Sequence, residues 1–255
     1  MDATDPAAQY QKKAPKYFSA ARADYVAEIP PGLNRVLEIG CADGMTGLLA
    51  KQQGKAAFYC GVELFPDAAR NAKDRIDEII VGDIEKIDRL PWPENSFDFL
   101  IMSEVLEHLT DPSRVLTKLR SYLRPGGRVF ASSPNVSHYH IIAMLLKGDW
   151  RLTEMGVMDR THLRWFTPKT YAELFTESGY IVERVQAVSP LTKKAEIANL
   201  LTLGKLKHLF VVQVDIRASR AKQIAASVES HSFGGQVRSS SPHPPDTNNR
   251  AQSRK

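Results

Sequence analysis

Cysteine is nearly absent: the 255 residues include only Cys41 and Cys60. Two cysteines give no disulfide framework, which fits the cytoplasm. Long apolar runs are also missing. The longest, "IIAMLL", is far too short to cross a bilayer, and the opening "MDATDPAAQYQKKAPKY" has no apolar core for a signal peptide. Two nucleotide motifs fail as well. From Gly40, a G-x-G-x-x-G turn demands glycine at 42 and 45, where the chain has Ala42 and Met45, and no G-x-x-x-x-G-K-[ST] stretch occurs.

A basic face is lacking too, although the net charge is +5. Residues from Arg217 onward hold seven Lys or Arg and two acids, which leaves 27 bases and 27 acids in residues 1–216. The excess therefore sits in a tail ending "SSSPHPPDTNNRAQSRK", too poor in large apolar residues to offset its ordering entropy. The expected organisation is a folded domain over 1–217 and a basic, disordered tail over 218–255. The sharper alternative for the tail is a weak anchor to acidic lipid or RNA. A neutral fold argues against a nucleic-acid partner, since phosphate binding demands a basic face.

What is present alternates. "RVLEIG", "AAFYCGVEL", "DEIIVGD", "SFDFLIMSE" and "RVFASSPN" read as strands. Between them "MTGLLAKQQG" reads as a helix stopped by Gly54, and "PDAARNAKDR" opens one at Pro66. A third, "DPSRVLTKLRSYLRPGG", is capped by Asp111 and closed by Gly126 and Gly127. After a long segment over 136–166 the rhythm resumes with the helix "TPKTYAELFTESGY". The strand "IVERVQAVS", a polar and helical link and the strand "LFVVQVDIR" follow. Such alternation predicts an α/β fold, a mostly parallel sheet covered on both faces. Ligands bind such sheets beyond the carboxyl ends of the strands.

The stretch "VLEIGCADGMTG" is the first strand and its turn. Glu38 precedes the turn and Asp43 lies within it, among Gly40, Gly44 and Gly47. Acids repel a phosphate and suit a cationic or hydroxyl-rich ligand. Glu63 ends the second strand, where a carboxylate accepts both hydroxyls of a ribose. Asp83 and Ile84 follow the third, placed to accept from an exocyclic amine and to cover a base. An adenosine carrying an amino-acid-like cationic group satisfies all of these, and S-adenosylmethionine is such a ligand.

These pieces, with "GDIEKI", "FDFLIMSEVLEHL" and "LRPGGRVFASSPN", resemble class I S-adenosylmethionine-dependent methyltransferases over about Tyr17 to Arg217. The resemblance implies a Rossmann-like seven-stranded sheet with helices on both faces and its last strand antiparallel. It implies cofactor contacts at Glu38, Gly40, Cys41, Asp43, Gly44, Glu63, Leu64, Asp83, Ile84 and Ser103. The family turn is E-x-G-x-G-x-G, and here Ala42 stands at the middle glycine. The insertion "GDWRLTEMGVMDRTHLRWFTPKTYAELFTESGY" resembles methyltransferases of the ubiquinone-biosynthesis type and of bacterial surface-glycan assembly.

Histidine has a suitable pKa for a general base in methyl transfer to a hydroxyl. His108, in "EVLEHL", is the first candidate; His162 and His138 in the insertion follow it. Trp165 and Phe166 read as lid core, or else as pocket lining beside the histidines. Cys41 and Cys60 read as small core residues. Asp149 and Asp159 are conceivable metal ligands, but no His/Asp cluster has ligand spacing in the sequence, so no metal is expected. An N-P-P-Y-like stretch, associated by resemblance with base methylation, is absent after the fourth strand. The expected acceptor is an oxygen on a small molecule, sugar or lipid-linked intermediate. An RNA or protein acceptor is the enzyme alternative. A non-catalytic partner that only binds the cofactor is the alternative of another class.

Overall fold

The computed structural model describes residues 20–221. The tail from 222 lies outside them, so its expected disorder and contacts have no structural counterpart. In chain order the elements are α1 (Ala23–Glu28), β1 (Arg35–Ile39), α2 (Met45–Gln52), β2 (Phe58–Glu63), α3 (Pro66–Ala72), β3 (Glu78–Val81) and β4 (Phe97–Ser103). They continue with α4 (Pro112–Arg120), β5 (Leu123–Pro134), α5 (Tyr139–Leu146), α6 (Pro168–Glu177), β6 (Tyr180–Ala187), α7 (Lys193–Leu201) and β7 (Gln213–Arg220). No helix among the described residues is long and apolar enough to cross a membrane.

The seven strands form one sheet in the order β3-β2-β1-β4-β5-β7-β6. Pairing is parallel from β3 through β5, and β7 runs antiparallel to both β5 and β6. The expected seven-stranded architecture is therefore present, and its last strand reaches Arg220, past the boundary expected at 217.

Alternation along the strands sends side chains to two cores. Leu37, Leu100 and Met102 pack with Leu116, Leu119 and Phe175 on one face; Val36, Phe99, Ile101 and Phe130 pack with Tyr25, Val26 and Tyr59 on the other. Each such Leu or Phe contributes about 1.5–3 kcal/mol on burial.

One helix ends earlier than its sequence suggests. Asp111 caps α4 by accepting from the Arg114 N–H at 2.9 Å, as expected. The helix then stops at Arg120, well before Gly126. Pro125 restricts Arg124 to extended backbone. Tyr122 and Leu123 are buried in the core, and Leu123 pairs with Phe97 as the start of β5. Core burial outweighs the helical run.

Topology fixes a functional edge. The carboxyl ends of β1, β2, β4 and β5 share it. Gln213, the start of β7, pairs with Pro134, and Val214 pairs with Ala187, the end of β6. The connection over 188–212 therefore lies on that same edge, as does the insertion after β5.

Candidate functional site

The turn after β1 is held tightly. Gly40 donates its N–H to the Val62 carbonyl at 2.8 Å, and Gly44 donates to Cys41 at 2.9 Å. Gly40 has φ +72°, and a Cβ there would lie 2.7 Å from Val105 Cγ2, so only glycine fits. Ala42 sits in the left-handed region at φ +49°, which explains why the family pattern prefers glycine at this point. Its N–H donates to Glu63 Oε2 at 2.8 Å, while Phe65 N–H donates to Glu63 Oε1 at 2.9 Å. Glu63 is thus a clamp between two loops. Burial raises its pKa while backbone donors, Leu64 among them, oppose the rise, and the carboxylate's acceptor capacity exceeds these three bonds.

The two turn acids differ. Tyr59 O–H donates to Glu38 Oε2 at 2.7 Å, and burial pushes the Glu38 carboxyl up to about 7. Asp43 Oδ2 pairs with Arg75 Nη1 at 2.9 Å, so its charge is already countered, while its buried Oδ1 has no hydrogen-bond partner among the described residues. Cys41 is buried, and burial raises its thiol pKa well above the ordinary range, in keeping with a core role. Asp83 Oδ1 accepts from Glu85 N–H at 2.9 Å just past β3; Leu64 is half-exposed there. Ile84, next to Asp83, is buried at the margin of the core.

One residue of this edge carries no sequence signal. Arg22, just before α1, donates through Nη1 to Ser103 Oγ at 2.5 Å and to Ser132 Oγ at 2.8 Å. Burial opposes its charge, but its hydrogen bonds to Asp24 and the nearby Asp215 hold its pKa above the ordinary value. Beside Ser132, Glu104 adopts φ +55°, and its buried Oε1 has no hydrogen-bond partner among the described residues. The unpartnered oxygens of Asp43 and Glu104 suit a ligand that donates hydrogen bonds or carries positive charge, and the Arg22 guanidinium near Glu104 suits a carboxylate. Ribose hydroxyls, a sulfonium, an ammonium and a carboxylate are the polar parts of S-adenosylmethionine, so the residues fit it.

The insertion folds back over this edge. Asn135 and Phe166 form a β-bridge, and Val136 N–H donates to the Phe166 carbonyl at 2.9 Å. The Glu107 carbonyl, in the 3₁₀ turn Leu106–His108, accepts from the N–H groups of Leu163 and Arg164 at 2.8 and 2.9 Å. These bonds bring His108 and His162 together, with ring centroids 4.7 Å apart. His108 Nδ1 lies 3.1 Å from the Thr161 carbonyl and His162 Nδ1 lies 3.1 Å from the Val157 carbonyl. A carbonyl only accepts, so each Nδ1 donates a proton to it and the two rings are fixed in orientation.

The fold also corrects one expectation from linear spacing. Glu107, His108 and His162 each offer a ligand atom, all within 4.8 Å of one another, so a cluster able to hold a metal ion does exist. Residues far apart in the chain form it, which spacing motifs do not see. Asp159 instead shapes its own loop, accepting from Thr161 N–H and Oγ1–H at 2.9 and 2.7 Å. His138 caps α5, its Nδ1 accepting from His140 N–H at 3.4 Å. Phe166 belongs to the core, and Trp165 stacks edge-on against Trp150 at 5.4 Å.

Comparison with known proteins agrees with this geometry. Residues 10–185 match the family described as Methyltransferase domain. The chain is 24% identical over 194 residues to a ubiquinone biosynthesis O-methyltransferase of Aeromonas salmonicida, covering 74% of this chain and 79% of that one. It is 30% identical to a protein of the same name from Xylella fastidiosa, but that match spans only 46% of this chain and 49% of the relative. A S-adenosylmethionine-dependent methyltransferase structure from Archaeoglobus fulgidus shares the fold with a TM-score of 0.59 at 19% identity, over 86% of this chain and all of that one. The chain belongs to the methyltransferase-domain family, and it is a class I methyltransferase whose cofactor is S-adenosylmethionine.

Proposed function

We propose that this enzyme methylates an oxygen of a small-molecule, sugar or lipid-linked acceptor, with His108 as general base and His162 as its neighbour in the site. The observation that carries the reading is the meeting of the two imidazoles, 4.7 Å apart, each oriented by a carbonyl on its Nδ1. The cofactor supplies an activated methyl group. The chain's part is to orient and to move one proton. Glu63 and Asp83 hold the nucleoside, and Arg22 with Ser103 meets the amino-acid end. The lid over 136–166 excludes water and seats the acceptor. His108 takes the hydroxyl proton as the oxygen is alkylated. Much of the rate comes from holding nucleophile and methyl group in line.

An oxygen acceptor is also in keeping with the names of the relatives from Aeromonas salmonicida and Xylella fastidiosa. Incubation with methyl-labelled cofactor and fractionated cell extract tests the reading. Label in a base-labile or ether-linked small molecule or lipid supports it. Label in RNA or protein favours the macromolecular alternative. Cofactor binding with no label in any fraction favours a non-catalytic binding partner.

A further inference from the structure

Two apolar segments are left uncovered by the chain's own fold. α5 ends in Leu145 and Leu146, the latter 84% exposed. α7 has no buried residue among those described; Leu201 is 80% exposed, and Leu203, just past its end, is 83% exposed. A helix of nine residues is not held by backbone propensity alone, and large apolar side chains exposed in this number mark an interaction site.

Both segments lie on the edge where the site opens. The connection that carries α7 joins the end of β6 to the start of β7 there. The two segments also touch. Asn135 Nδ2, ahead of α5, donates to the carbonyls of His208 and Val211 at 2.7 and 2.6 Å. The rings of Tyr139 and Phe210 lie 6.2 Å apart.

Charge identifies the occupant. Residues 192–212 hold four lysines and one glutamate, although residues 1–216 as a whole are neutral. Lys205 and Lys207 are exposed between Leu203 and Leu209, and the half-exposed Trp150 sits next to Arg151 beyond α5. Leucines interleaved with lysines, with amphipathic aromatics at the margin, match a bilayer whose headgroups are anionic. A second copy of the chain fits poorly, because two-fold pairing would set these lysines against themselves.

We propose that this edge docks on an anionic lipid bilayer. Leu145, Leu146 and Leu200 to Leu203 enter the acyl boundary, and Lys193, Lys205 and Lys207 meet the headgroups. The proposal does not depend on which acceptor atom is methylated. It places the mouth of the site at the membrane surface, where an acceptor with an apolar tail would be met.

The test is sedimentation of full-length protein with vesicles of phosphatidylcholine alone or mixed with phosphatidylglycerol. The parent should pellet with the mixed vesicles only, and less so at high salt. The triple variant Leu200→Asp, Leu201→Asp, Leu203→Asp should lower partitioning at least about tenfold, and so should Lys205→Glu with Lys207→Glu. The double variant Leu145→Asp, Leu146→Asp tests α5 separately. Melting temperatures should stay put, since the leucines of the triple variant are exposed. Variants that pellet like the parent would assign any binding to the tail and overturn the proposal. So would a parent that ignores both vesicles, or a solution dimer that the leucine changes dissociate.

Discussion

The rings of His108 and His162 meet at 63° with their centroids 4.7 Å apart, one from the turn after β4 and the other from the lid. Each is fixed by a carbonyl on its Nδ1. If His108 is the base, His108→Ala should cut turnover by roughly 10²–10⁴-fold and leave cofactor affinity nearly intact. Single-turnover assays beside calorimetry separate the two. A parallel fall in affinity would reduce His108 to holding the cofactor loop, and the same loss on His162→Ala alone would move the base to the lid.

The same two histidines and Glu107 bring three ligand atoms within 4.8 Å of one another, a group that could hold a metal ion. With a proton-abstracting histidine, turnover should survive EDTA, and micromolar Zn²⁺ should inhibit until chelated. Turnover that EDTA abolishes and a divalent ion restores would show that the cluster works as a metal centre.

Glu63 holds Ala42 and Phe65 by their N–H groups while leaving lone pairs for a ligand. Glu63→Ala should weaken cofactor binding by about 1.5–3 kcal/mol, the scale of hydrogen bonds to a charged acceptor. It should also lower the melting temperature, because two backbone donors lose their acceptor. Calorimetry on folded variant and parent decides it, and equal affinities would remove Glu63 from the site.

Ala42 at φ +49° carries the cost of a left-handed residue with a side chain. Ala42→Gly should raise stability by about 0.5–1 kcal/mol, the strain relieved less the extra entropy of an unfolded glycine. Chemical denaturation measures this. A loss of stability would mean that the methyl group packs to advantage.

Burial raises the Glu38 carboxyl to about 7, against an ordinary value near 4.3 in an unfolded chain. Between these values the folded state keeps a proton that the unfolded state releases. Stability should therefore fall as pH rises through that window, by up to roughly 3 kcal/mol. In Glu38→Gln this part of the slope should vanish. Urea midpoints from pH 4 to 8 would reveal it, and identical slopes in both proteins would refute the assignment.

Local pattern made much of this legible. β-Branched runs with glycine stops marked the strands, and Glu63 fell where the end of β2 was expected. The parts missed depend on distance in the chain. Arg22 reaches Ser103 and Ser132 only because α1 packs beneath the sheet, and nothing in "SAARADYV" announces it. Linear spacing could not join residues 107, 108 and 162. The early end of α4 came from the burial of Tyr122 and Leu123, a tertiary term that no helical pattern contains.

The bridge between Asn135 and Phe166 has a consequence for how this protein changes. Residues 136–166 leave the sheet and return to it at almost the same point, so their ends are fixed by the frame and not by their own length. Such a segment is a cassette. It can be exchanged, lengthened or rewritten without disturbing the strands beneath, provided the pairing at its neck and the seat on the Glu107 carbonyl survive. Cofactor chemistry stays with the frame, and the choice of acceptor can drift with the cassette.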